Sequence, residues 1–139
     1  MVKRAETAHD MVSGMTPELR AGRFVFVTIT DSALEARLMS SARAVFREAE
    51  GTSLLIPGDV ALKHGLNADA PMRGITLNVY SSLHGVGLTA AVSGALADHD
   101  IPCNMIAAFH HDHVFVPEHL CERAVEILRS LQDSARREP

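Results

Sequence analysis

A strand of alternating character runs directly into a glycine-containing loop and a helix near the middle of the chain. In residues 73–80 (RGITLNVY), apolar and polar side chains alternate, which is the period-two pattern of a strand with one buried face. Residues 81–87 contain serines and glycines that cannot continue this strand, and a helix is predicted over residues 86–99. The backbone N–H groups at the start of a helix lack partners within it, so this junction suits a carboxylate or a phosphate.

The rest of the second half is predicted from the same kinds of signal. Small residues and one apolar stripe in residues 86–99 favour a helix that lies close to a sheet or a second helix. Residues 101–109 and 113–116 are the predicted strands of a hairpin, and Pro117 is expected to fix the backbone for a second helix. That helix has a predicted buried stripe formed by Cys121, Ala124, Val125 and Leu128.

The first half repeats this order of elements. Residues 24–30, 42–46 and 52–56 are the predicted strands. Ser32 and Glu35 form a predicted capping box that begins one helix, and Asp59 is the predicted cap of a shorter helix that ends near Gly65. Each half therefore contains strand, helix, strand, strand and helix, and each hairpin ends in an apolar strand, a proline and an acidic residue.

This degenerate repeat predicts an α+β fold of two ferredoxin-like β-α-β-β-α units packed with antiparallel sheets. The expected organisation is an N-terminal extension (residues 1–22), a first half (23–70), a second domain (71–133) and a charged tail (134–139). Six strands are counted where two complete split units would need about eight. Because open strand edges favour aggregation, strand exchange between the halves or a homodimer is expected to cover them.

Composition excludes several classes of protein. The chain has 139 residues, a formal charge of -4 and 47% hydrophobic residues, which fits a small globular protein without the basic excess needed for nucleic acid. No window reaches the roughly 18 apolar residues of a membrane span, and residues 1–10 lack the apolar core of a signal peptide, so a cytoplasmic location is expected. Cys103 and Cys121 are predicted to be reduced core residues.

Three segments carry a resemblance to a known family. They are FREAEGTSLLIP (residues 46–57), RGITLNVYSSLHGVGLTAAVS (73–93) and AAFHHDHVFVP (107–117). Over residues 23–131 the chain resembles small bacterial proteins with tandem ACT domains. It departs from their pattern at His99 and Asp100, where such domains often place a glycine at the helix exit; aspartate adopts the left-handed conformation less readily than glycine.

The resemblance implies a site for a small ligand formed by the loop after the first strand of the second domain, the next helix N-terminus and the facing strand. It implies that the ligand's carboxylate meets backbone N–H groups of residues 84–88, and that Asn104 and nearby strand carbonyls contact its amino end. The residues implied in this site are Ser82, Leu83, His84, Val86, Gly87, Leu88, Cys103, Asn104 and Ile106.

The expected protein is thus a stand-alone ACT-domain regulator that binds a small metabolite, with an amino acid as the expected ligand, and reports its occupancy to a partner protein. Neither catalysis nor a cofactor is expected. Two alternatives stay open: a metal-dependent enzyme or metal-binding protein using His110 to His113, and a dimeric assembly module without a ligand. The residues of that cluster are also typical of a hairpin turn organised by Asp112, and Glu48 and Glu50 are typical of a solvated hairpin tip.

Overall fold

The structure, a computed structural model, describes Ala5 and residues 7–138; residues 1–4, 6 and 139 lie outside the described part of the chain. The helices are α1 (Ala8–Ser13), α2 (Ser32–Leu38), α3 (Gly58–Lys63), α4 (Leu88–Ala97) and α5 (Cys121–Arg137), with single 3-10 turns at Met39–Ser41 and Glu118–Leu120. The strands are β1 (Pro17–Leu19), β2 (Phe24–Ile29), β3 (Ala44–Arg47), β4 (Thr52–Pro57), β5 (Met72–Leu77), β6 (Asn104–Ala107) and β7 (Asp112–Pro117). None of the helices in the described part of the chain combines the length and the apolar character of a membrane-spanning segment.

The chain divides into two compact units. Residues 22–72 form one, here called the inserted unit, and the described residues before 22 together with those after 72 form the other, here called the discontinuous unit. The segment that the sequence set apart as an extension therefore holds a helix and a strand of the discontinuous unit. The short strand β1 pairs antiparallel with β5, with Pro17 opposite Leu77 and Leu19 opposite Ile75. A strand of three residues that begins with proline carries no detectable period, so the sequence did not reveal it.

In the discontinuous unit the strand order is β1-β5-β7-β6, and β6 and β7 pair antiparallel. This order supplies four strands, as a split β-α-β-β-α-β unit requires, with the fourth taken from the beginning of the chain. Helices α1, α4 and α5 contribute side chains to one core with the sheet. Fully buried members of that core include Met15, Leu77, Val92, Leu96 and Leu128.

In the inserted unit, β4 lies between β3 and β2 and pairs antiparallel with both. Alternate residues of β2 and β4 face the same core, as a half-buried sheet requires. Leu38 from α2 and Ala61 from α3 are completely buried against them. The mixed α+β composition and antiparallel pairing agree with the predicted pair of ferredoxin-like units.

Two helix beginnings differ in detail from the prediction. The cap of α2 is Asp31, whose carboxylate accepts a hydrogen bond of 3.1 Å from the Leu34 N–H, and Ser32 is the first helical residue. Aspartate and serine are both good helix caps, and Asp31 is the cap because its backbone is extended. The cap position of α3 is Pro57, while Asp59 accepts from the Val60 N–H at 3.0 Å inside the first turn.

The ends of α4 and α5 also refine the prediction. Helix α4 is shorter than expected and ends at Ala97, followed by Asp100 with a left-handed φ of 57°. The Ile101 N–H then donates to the Leu96 carbonyl at 3.0 Å, which closes the helix as glycine would. Helix α5, in contrast, continues through the predicted tail to Arg137 because Gln132 and Ala135 are buried on its inner face.

Candidate ligand site

A pocket of about 490 Å³ lies in the discontinuous unit where the loop after β5 meets the N-terminus of α4. Residues from four parts of that unit line it: α1, the loop, the first turn of α4, and the β6–β7 hairpin. They are Met11, Ser82, Leu83, Gly85, Val86, Gly87, Leu88, Thr89, Ala90, Ala107 and Asp112. Among these described lining residues, Asp112 alone has an ionisable side chain.

The pocket brings together part of the expected site. Five of the residues implied by the resemblance line it: Ser82, Leu83, Val86, Gly87 and Leu88. His84, Cys103, Asn104 and Ile106 are not among the lining residues. The Asn104 side-chain amide donates to the Phe115 carbonyl at 3.2 Å, and Cys103 is partly buried, which raises the pKa of its thiol.

Sequence reasoning missed the contribution of Met11. This residue lies far from the loop along the chain, and no local pattern connects the two. Thr89 and Ala90 could have been found, because they follow directly after the loop in the first turn of the predicted helix. Asp112 was identified as a turn residue within the His110 to His113 cluster and not as part of the ligand site. Its carboxylate accepts from the Ser81 hydroxyl at 3.3 Å, and the residue lines the pocket.

The loop holds its shape through short local hydrogen bonds. The Ser82 hydroxyl accepts from the His84 N–H at 3.1 Å, and the Ser82 carbonyl accepts from the Gly85 N–H at 3.0 Å. The N-terminal segment pins the start of the same loop, because the Ala5 N–H donates to the Tyr80 carbonyl and the Ala5 carbonyl accepts from the Ser82 N–H, at 2.8 and 3.0 Å. The loop is therefore tied to the beginning of the chain on one side and to α4 on the other.

Helix α4 begins without a side-chain cap. Its cap residue, Gly87, has a φ of 113°, and the first intrahelical bond joins the Ala91 N–H to the Gly87 carbonyl at 2.9 Å. The N–H groups of Leu88, Thr89 and Ala90 consequently have no acceptor within the helix. Since all three residues line the pocket, hydrogen-bond donors and the positive end of the helix dipole meet a cavity there.

The apolar side chains that line the pocket differ in exposure. Met11 and Leu88 are 2% and 3% exposed, whereas Leu83 and Val86 are 63% and 79% exposed. The apolar part of a ligand would therefore be best shielded from water against Met11 and Leu88.

Two histidines of the β6–β7 hairpin, His111 and His113, contact residues 76–79. His111 Nδ1 donates to the Val79 carbonyl at 3.2 Å, and its ring lies 4.9 Å from that of Tyr80. His113 Nδ1 lies 3.1 Å from the Thr76 hydroxyl. Burial is the main cause that lowers the pKa of His113; His111 and Arg20 lower it further and Asp112 opposes them.

No metal centre is assembled in the described part of the chain. Groups of three or more histidine, cysteine, aspartate or glutamate side chains placed to hold a metal ion do not occur there. Glu48 accepts a hydrogen bond from the Ser53 hydroxyl at the exposed β3–β4 hairpin, and Glu50 is exposed to solvent.

Comparisons with known proteins agree with this architecture. Residues 7–73 match one family described as an ACT domain, and residues 70–130 match another, so the two matches lie in tandem. No curated protein sequence matches the chain. A Vibrio cholerae protein of unknown function, named as a possible transport protein, is 39% identical; the match covers 87% of this chain and 92% of that one, with a TM-score of 0.78.

More distant solved structures share the fold. The regulatory subunit of aspartate kinase from Thermus flavus is 10% identical, with 83% of this chain and 95% of that one covered and a TM-score of 0.59. Aspartokinase III from E. coli, in complex with aspartate and ADP, is 17% identical, with 83% and 32% covered and a TM-score of 0.58. Given the two tandem matches and the V. cholerae relative, the chain belongs to the ACT-domain family.

Proposed function

We propose that this protein is a non-catalytic regulator that binds an amino acid in the pocket between the β5–α4 loop and α1. The observation that carries the proposal is the pairing of opposite polar groups in one cavity. Uncapped N–H groups of Leu88, Thr89 and Ala90 suit a carboxylate, and the Asp112 carboxylate suits an ammonium group. An α-amino acid carries both groups on one carbon.

The family supports a regulatory role. The ACT fold forms the regulatory subunit of aspartate kinase from Thermus flavus, and aspartokinase III from E. coli, which contains this fold, was solved in complex with aspartate. In this chain, binding would rigidify a loop that is hydrogen-bonded to the N-terminal segment through Ala5. A partner protein that contacts this segment or the exposed side chains at the pocket mouth would then sense occupancy.

The test is a thermal-shift and calorimetric screen of the purified protein against the twenty amino acids. A ligand that binds the folded state raises the melting temperature, and at a hundred times its Kd it adds about 2.7 kcal/mol. For the best amino acid, the matching amine without a carboxylate and the matching acid without an ammonium group should each bind far more weakly. If either analogue bound as tightly as the amino acid, the protein would not recognise both the carboxylate and the ammonium group.

A pair of variants tests the assigned carboxylate. Asp112→Asn should weaken amino-acid binding by roughly tenfold to a hundredfold, since a hydrogen bond to a charged group is worth about 1.5–3 kcal/mol. The matched control is Asp98→Asn, because Asp98 is exposed at the other end of α4. Equal affinities of the Asp112→Asn and Asp98→Asn variants would remove Asp112 from the site.

We also propose that the protein is a homodimer formed through the edge of the inserted unit. Within the described residues of that unit, β3 pairs on one side only, with β4. Its Val45 and Phe46 are 37% and 72% exposed, and an open apolar edge strand is a ready surface for a second copy. Equilibrium sedimentation should give a dimer at micromolar concentration that Phe46→Lys dissociates; a wild-type monomer would contradict the proposal.

A further inference from the structure

We propose that Met11 determines which amino-acid side chains the pocket accepts, favouring unbranched apolar chains of limited length. This inference rests on the proposed function and adds a ligand class and a specificity residue to it. Met11 is one of two buried residues among those that line the pocket, the other being Leu88. The remaining lining side chains are small, polar or largely exposed, so Met11 is the largest buried side chain that a ligand's apolar part would meet.

Helix α1 is held firmly enough for Met11 to set a boundary. At its beginning, the Thr7 hydroxyl caps the helix by accepting from the Asp10 N–H at 3.1 Å. At its end, the Ser13 carbonyl accepts from Gln132 Nε2 at 2.8 Å and from Arg136 Nε at 2.9 Å. These bonds anchor α1 to α5, so the position of Met11 does not depend on the pocket loop alone.

Helix α1 also contacts the start of α4, through Ala8 and Gly87. A Cβ placed on Gly87 would lie 2.6 Å from the Cβ of Ala8, which means that α1 approaches the start of α4 as closely as a glycine allows. The wall carrying Met11 and the helix start that faces the ligand's polar group are therefore in direct contact.

The side chains of Met11 and Leu88 select against charge. Burying an ionic group without a partner is costly, and these two apolar side chains offer none. Each buried methylene contributes about 0.8 kcal/mol, which is about fourfold in affinity, until the chain reaches the wall. The unbranched, flexible methionine side chain is suited to line such a space.

The experiment uses a homologous series of unbranched probes: alanine, 2-aminobutyrate, norvaline and norleucine, with lysine and glutamate as charged counterparts. Calorimetry on the wild type should show affinity rising about fourfold per methylene up to a limiting length, with weak binding of the charged pair. Met11→Ala should extend the limit and raise the norleucine-to-aminobutyrate affinity ratio by roughly tenfold. The control is Met15→Ala: Met15 is equally buried in the same core but does not line the pocket, so the ratio should stay unchanged.

The outcomes separate the two proposals. A wild type that binds only charged amino acids, or a ratio that moves equally in both variants, would overturn the role of Met11 and leave amino-acid binding intact. A wild type that binds no amino acid would overturn both. If Met11→Ala does not fold, the volume-conserving variant Met11→Leu replaces it. Met11→Leu should change which of norleucine and leucine binds more tightly, whereas Met15→Leu should not. An unchanged order of the two affinities in both variants would refute the inference.

Discussion

The contact between Gly87 and Ala8 yields a prediction that combines two separate penalties. Gly87→Ala places a side chain on a residue with a φ of 113° and only 2.6 Å from the Cβ of Ala8. The backbone strain costs about 1–2 kcal/mol, and forcing an extra carbon into a filled space costs about 1–3 kcal/mol. The substitution should lower the free energy of unfolding by roughly 2–5 kcal/mol.

A double-mutant cycle separates these penalties. In an Ala8→Gly background the steric part disappears and the strain remains, so Gly87→Ala should cost about 1–3 kcal/mol less there than in the wild type. Equilibrium urea unfolding of the four proteins measures the coupling. Equal costs in the two backgrounds, within about 0.5 kcal/mol, would refute the close approach of α1 to the start of α4.

Further predictions concern pH, helix length and capping. Because folding lowers the pKa of His113, the unfolded chain binds a proton at this histidine more readily than the folded chain does. The free energy of unfolding should therefore fall as the pH drops from the usual pKa of 6.5 toward the lowered pKa of the folded state. In urea unfolding measured as a function of pH, His113→Gln should reduce this dependence. Ending the chain after Asp133 removes a buried alanine and the hydrogen bond from Arg136 to Ser13. The urea midpoint should therefore drop by an amount equivalent to about 1–3 kcal/mol. Removal of residues 138–139 alone is the control, and equal midpoints of the two shortened proteins would refute the role of the last helical turn. Asp31→Ala should cost about 1 kcal/mol in the same assay and Ser32→Ala much less, with the reverse order contradicting the observed cap.

Much of the fold could be predicted because its signals are local. The alternation in β5, the small-residue helix α4 and the apolar strands before each proline each specify an element within a few residues. The element order of the two halves then gave the α+β class, and the resemblance gave the family, which the two ACT-domain matches confirm.

What the sequence concealed depends on contacts between distant segments. Strand β1 is recognisable only through its pairing with β5, and the last turns of α5 are stabilised by burial of Gln132 and by Ser13, at the other end of the chain. The contribution of Met11 to the pocket was not predicted for the same reason, since Met11 lies far from the pocket loop along the chain. Residues 82–90 of the pocket lie in one continuous segment, and five of them were among the expected residues, whereas Met11 and Asp112 join the pocket only through the folded chain.

Amino-acid binding in this pocket is tested most directly by a methyl NMR titration of protein labelled with carbon-13 at its six methionine methyl groups. The signals of Met11 and Met15 would be assigned by substituting each with leucine, and each amino acid would be added in turn. A neutral, unbranched amino acid should shift the Met11 methyl signal, while the signal of Met15, buried in the same core but outside the pocket, should stay in place. If no amino acid moves the Met11 signal, the pocket is not an amino-acid site.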